Sequence, residues 1–171
     1  MNRCFLQPDT GRRPALPAVR RGLPQDLREC VEPGTLMTWV QEAVLELNWG
    51  HPLVVNYLRY RPDDRPQVML TLIAYAFLTR TASSEWISSA CRTERDLHIL
   101  SEGSAPFPLE IRAFRRKNRR LLQHVMGRVI ERVLHKQEDA SDPAPPGVTD
   151  EAQRQAIERL DLARHMDSGD A

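Results

Sequence analysis

The sequence is short of several things that would otherwise place it quickly. Its three cysteines, Cys4, Cys30 and Cys91, are scattered and form no Cys-x-x-Cys pair. An odd, dispersed set argues against a disulfide framework and against a zinc site, and it suits a reducing compartment. Aromatic residues make up only 6% of the chain while charged residues reach 27%, a balance that suits a small helical protein better than an all-β one. No run of about 18 apolar residues exists, so no segment is long enough to span a membrane. The early arginines are followed by no apolar stretch of the kind a secretory signal needs. There is no glycine-rich phosphate loop. His51, His98, His124, His135 and His165 form no His-x-x-x-His or Glu-flanked metal pattern. The expectation is a cytoplasmic protein without a metal or cofactor.

Charge is present in quantity but segregated. The formal net charge is +1. Residues 108–136 hold nine Lys/Arg against Glu110 and Glu131, an excess of seven positive charges. Residues 138–171 hold nine Asp/Glu against Arg154, Arg159 and Arg164, an excess of six negative charges. Such asymmetry points to a polyanion-binding surface beside an acidic tail. Two readings of the tail stay open: it remains solvated, or it competes for the basic face across a flexible linker.

With 171 residues, the chain suits one domain with tails. Residues 1–34 read as a disordered arm, because Pro8, Pro14, Pro17, Pro24 and Pro33 interrupt every potential helix. A helical domain is expected over 35–137. Its first helix runs from Thr38 to Leu47, with Thr38 and Gln41 at capping-box spacing and Val40, Ala43, Val44 and Leu47 as its stripe. A short helix over Leu53–Tyr60 follows. Pro66 then opens a helix that is apolar nearly all round from Val68 to Leu78, and hence buried. Ser83 or Ser84 caps the next, which carries Cys91 as a small core residue. Thr93 caps a short helix that stops at Gly103. Trp39, Trp49 and Trp86 read as core anchors. Pro106 and Pro108 introduce the basic segment, and Leu121, Leu122, Val125, Met126, Val129, Ile130, Val133 and Leu134 recur in pairs as the strongest helical signal. Residues 138–149 read as a Pro-rich linker, and 150–171 as an acidic tail with one polar helix capped by Thr149. The fold class expected is mainly α, a compact multi-helix domain with helix-turn-helix-like elements.

One run of motifs carries more than periodicity. His51-Pro52-Leu53, Arg61-Pro62 with Pro66, the apolar helix, Ser83-Ser84 spaced to Ala90-Cys91, and Phe114-Arg115-Arg116 occur in that order. Together they resemble the N-terminal domain of bacterial insertion-sequence transposases of the DDE superfamily, over about 85 of the 171 residues. The resemblance implies a small helical domain that binds DNA ahead of an RNase H-like catalytic domain. Where that family has a Pro-Asp-His-Ser/Thr stretch, this sequence has Pro106-Phe107-Pro108-Leu109-Glu110. The three carboxylates that hold two divalent cations in DDE chemistry lie beyond this domain in the family. No catalytic residue carries over, and the chain is expected not to be an enzyme.

The DNA-binding expectation rests on Arg112, Arg115, Arg116, Lys117, Arg119 and Arg120. On one helix the five arginines share a face by i, i+3, i+4, i+7 and i+8 spacing, with Lys117 to the side. Such a stripe can hold duplex phosphates. The sequence therefore reads as the DNA-binding domain of a truncated or split transposase, holding transposon-end DNA without strand-transfer chemistry. The alternative is a helical interaction module whose Leu121–Leu134 stripe pairs with a full transposase or with itself.

Overall fold

In the computed structural model, which describes residues 23–47, 65–79, 83–137 and 147–169, the chain is mainly helical. The apolar centre is the helix opened by Pro66. It follows α1 (Pro33–Leu45) and is α2 (Pro66–Leu78), with every residue from Leu70 to Leu78 buried. Its polar groups are satisfied in place, as burial requires. Thr71 and Thr79 turn their hydroxyls back onto the carbonyls of Gln67 and Tyr75, at 2.8 and 2.9 Å. The Tyr75 hydroxyl donates to Asp96 at 2.7 Å. Burial and that carboxylate push the Tyr75 phenol well above its ordinary pKa.

Five further helices surround α2. These are α3 (Ser84–Thr93), α4 (Arg95–Leu100), α5 (Pro108–Lys117), α6 (Arg119–Gln137) and α7 (Asp150–Gly169). α2 touches α1, α4, α5, α6 and α7, while α3 packs on α4 and α5. Ser83 caps α3 by accepting from the Trp86 amide at 3.5 Å. Leu97 and Leu100 of α4 point inward, and the chain leaves that helix through Gly103 at φ 76°, a conformation that favours glycine. The paired apolar stripe of α6 is internal, with Leu122, Val125, Met126, Val129, Ile130 and Val133 all buried. Among the described residues no helix is long and apolar enough to cross a membrane.

Several expectations are corrected. The arm expected over 1–34 is structured in its described part: Leu27–Glu29 form a 3-10 turn and Leu27 and Val31 are buried. Pro33 starts α1 rather than blocking it, because a proline at the first helical turn lacks only an N–H that would be unpaired anyway. Thr38 is therefore inside α1, bonded to the Gly34 carbonyl at 3.0 Å, and caps nothing. Thr93 ends α3, and Glu94 precedes α4 without a side-chain cap. Trp86 is 42% exposed and no core anchor, although Trp39 packs against the core. The α6 stripe is covered by this chain's own α1, α2 and α7, so it is not available to pair with a second helix. The expected helix over Leu53–Tyr60, Trp49, the arm over 1–22 and most of the linker lie outside the described residues.

The acidic tail is the largest departure. α7 lies along α6 and buries Ala152, Ala156, Leu160 and Ala163, a stripe at four- and three-residue spacing. Alanines carry little apolar weight in a sequence pattern, yet they let two helix backbones approach closely. Thr149 caps the helix as expected, accepting from the Ala152 amide at 3.4 Å. Its own N–H and hydroxyl donate to buried Glu131 of α6, at 3.1 and 2.6 Å. Gly127 marks the tightest approach, since a Cβ there would sit 2.9 Å from a methyl of Val148.

Helix propensity alone would make Gly127→Ala stabilising by about 1 kcal/mol. The contact with Val148 reverses that, because overpacking costs about 1–3 kcal/mol. We expect Gly127→Ala to lower the urea midpoint. Gly34→Ala, where a Cβ meets nothing within 4 Å, should leave it unchanged or raise it. A raised midpoint for Gly127→Ala would refute the close-approach account.

Candidate nucleic-acid interface

The six cations expected to form one stripe are split by Asn118. α5 ends at Lys117 and α6 begins at Arg119. Asn118 sits between them, with its backbone N–H and side-chain amide both donating to the Phe114 carbonyl at 2.9 and 3.0 Å. The first is the ordinary helical bond; the side-chain bond to the same carbonyl competes with continued helix, the usual behaviour of asparagine. Arg112, Arg115, Arg116 and Lys117 therefore belong to one helix, and Arg119 and Arg120 to the next.

Their surroundings differ as much as their helices. Arg115 points inward and is 7% exposed. It pairs with Asp167 of α7 at 2.5 Å and donates to the Ala163 carbonyl at 3.1 Å. Arg112 pairs with Glu85 of α3. Arg119 reaches Asp161 of α7 at 2.8 Å. Farther along α6, Arg132 binds Glu42 and Glu46 of α1 at 2.6 and 2.9 Å, and Arg128 also meets Glu46. Arg116, Lys117 and Arg120 are exposed, and among the described residues none has an ion-pair partner. The continuous arginine face is thus corrected: three cations of the six stay open to solvent, and Arg115 is a structural residue.

The outward face of α5 follows from what the helix buries. Ile111, Phe114 and Arg115 face inward. Opposite them lie Leu109, Ala113, Arg116 and Lys117, with Arg112 on the flank, and exposed Arg120 follows in the first turn of α6, beyond Asn118. At the start of the helix Phe107 is 68% exposed and Leu109 74% exposed. Glu110, also exposed, is turned back to accept from the Phe107 amide at 2.8 Å. Beside this face a groove of about 770 Å³ is lined by Val68, Met69, Leu72, Ala105, Phe107 and Leu109 among others.

Sequence reasoning located the basic helix but missed the acids that meet it. Glu85, Asp161 and Asp167 come from α3 and α7. The excess of negative charge after position 138 was the available signal, and the packing of α7 on α6 is what directs it. Other titratable groups offer little chemistry. Cys91 is buried in the core, as expected, and burial raises its thiol pKa, away from the reactive thiolate. Among the described residues no group of three or more His, Cys, Asp or Glu is placed to hold a metal ion. Compared with models of protein families, with curated proteins and with solved structures, the chain matches none. The transposase resemblance therefore rests on the residues that carry it.

Because Arg115 and Asp167 are both buried, removing one leaves the other charged and unpaired, at a cost of about 3–5 kcal/mol. We expect Asp167→Ala to lower stability on that scale. The paired replacement Arg115→Met with Asp167→Leu should recover part of the loss, since the buried Ser84 amide and hydroxyl still lose their acceptor. Denaturant midpoints of the two variants check this, and equal destabilisation by both would refute it.

Proposed function

We propose that this chain is a cytoplasmic DNA-binding module of the kind that stands ahead of the catalytic domain in insertion-sequence transposases, and that it holds duplex DNA without cutting or joining it. One observation carries the reading. Arg112, Arg115, Arg119, Arg128 and Arg132 of α5 and α6 are neutralised from within the fold, while Arg116 and Lys117 at the end of α5 and Arg120 at the start of α6 are exposed and, among the described residues, have no ion-pair partner. Unpaired cations held on a rigid helical surface suit phosphate contacts, and their number bounds how strong the electrostatic part can be. The order and spacing of the transposase-like motifs support the same reading. The particular transposon-end sequence is set by residues other than these three, because phosphate contacts position a protein without specifying a base.

Three phosphate contacts release three sets of counterions. The logarithm of the binding constant should therefore fall with the logarithm of salt at a slope of about −2.7. Between 50 and 200 mM salt that is a loss of roughly 40-fold. Fluorescence anisotropy with a labelled duplex measures the slope. Arg116→Ala, Lys117→Ala and Arg120→Ala combined should flatten it and weaken binding to all duplexes, with stability unchanged. Full affinity in that triple variant would remove the assignment.

No metal-dependent nicking is expected. If Mg²⁺ or Mn²⁺ supported cleavage of a transposon-end duplex, and a point substitution in this chain abolished it, the non-catalytic part of the proposal would fail.

A further inference from the structure

Phosphate binding explains the cations of the outward face but not its apolar half. A single exposed leucine is ordinary on a protein surface. Here, however, Phe107 and Leu109 are 68% and 74% exposed at the same helix start, and small Ala113 follows on the same line. Arg116 and Lys117 complete that line toward the other end of α5, and Arg120 follows in the first turn of α6. The face is therefore divided along its length, apolar at the N-terminal end and cationic at the C-terminal end. The two carboxylates nearest the apolar end are both engaged: Glu110 with the Phe107 amide, Glu85 with Arg112. Glu85 is neutralised by Arg112, while Glu110 stays charged and is held back against its own helix start.

Resting on the DNA-binding reading, we infer that the outward face of α5 reads thymine in the major groove, with Leu109, Ala113 and Phe107 against the C5-methyl groups and the cations on flanking phosphates. The geometry of a duplex suits this division. An α-helix fits within the major groove, and the thymine methyl is the apolar mark that an A·T pair presents there. Recognition helices bring their N-terminal residues to base edges. The apolar end of α5 is its N-terminal end, and Ala113, one turn on, lets the backbone come close. The three unpaired cations supply the complementary charge that favours a duplex over an apolar protein partner.

The test removes the methyl group and nothing else. A random duplex library is selected on the full chain, and the enriched site is synthesised once with thymine and once with uracil in its place. The two duplexes offer the same hydrogen bonds. Anisotropy should show the thymine duplex bound more tightly by roughly fourfold for each methyl contacted. Leu109→Ser, and separately Phe107→Ser, should lose that preference while keeping salt-dependent binding. Both sites are exposed, and thermal midpoints verify that the fold is retained. Arg116→Ala with Lys117→Ala and Arg120→Ala should weaken both duplexes equally. Binding with no enriched site, equal affinity for the two duplexes, or a preference that survives both serine variants would overturn the inference and leave the DNA-binding proposal standing. A concentration-dependent dimer lost in Leu109→Ser, with no thymine preference, would assign the patch to a second copy and overturn it too. Failure to bind any duplex at low salt would overturn both.

Discussion

A single buried carboxylate sets the relative placement of three helices. Asp167, near the end of α7, accepts from the Ser84 amide at 3.0 Å and its hydroxyl at 2.9 Å, and pairs with Arg115 at 2.5 Å. Taking a carboxylate and a guanidinium out of water costs several kcal/mol for each ion, so the pair is tolerable only because other groups fill the remaining bonding positions. Ser84 does so for the acid, and the Ala163 carbonyl does so for the arginine. The first turn of α3, the last turn of α5 and the last turns of α7 are thereby held to one point. The outward face of α5 is defined by that inward anchor: with Arg115 fixed, Leu109, Ala113 and Arg116 have to face away.

The same joint explains why a segment with an excess of seven positive charges does not present seven of them. Acids from α1, α3 and α7 meet five of its arginines, Arg112, Arg115, Arg119, Arg128 and Arg132. The partly exposed pairs among these, all but Arg115–Asp167, add little stability each. Their effect is on the field that reaches solvent, which narrows from a long stripe to Arg116, Lys117 and Arg120 around the α5–α6 junction, with Lys136 exposed at the far end of α6. A polyanion therefore meets a localised feature, with apolar side chains at one side of it.

α7 is part of the domain rather than an appendage. Its alanine stripe, the glycine facing it on α6 and the Glu131–Thr149 cap form a close helix pair. Buried Arg159 extends the attachment by donating to the Pro24 carbonyl at 2.6 Å, which pins the stretch leading into α1. Burial lowers the Arg159 pKa, and its partners there are backbone carbonyls rather than a carboxylate. Asp161 and Asp167 of α7 thus meet their arginines from fixed positions, so α7 is neither a solvated tail nor a freely competing one.

Local chemistry was legible in the sequence. Pro66, Ser83 and Thr149 mark helix starts because a missing N–H and a short hydroxyl act within one turn of chain, and α2 declares itself by being apolar nearly all round, α6 by its apolar period. The helical class and the buried character of α2 follow from those signals. The start of α1 was misread because Pro33 was counted as a breaker when its position made it an opener. The docking of α7 was not legible, since its buried face is made of alanines that no hydropathy pattern distinguishes. The basic cluster at 112–120 was legible as a composition, but its division was not. Whether an arginine faces water or an aspartate depends on which helix lies opposite, and that is decided by long-range packing between residues as far apart as Ser84 and Asp167. Sequence alone determined which helices form and which residues are charged; tertiary structure decided which of those charges remain to meet a partner, because charge pairing is a property of distance in space and not of spacing along the chain.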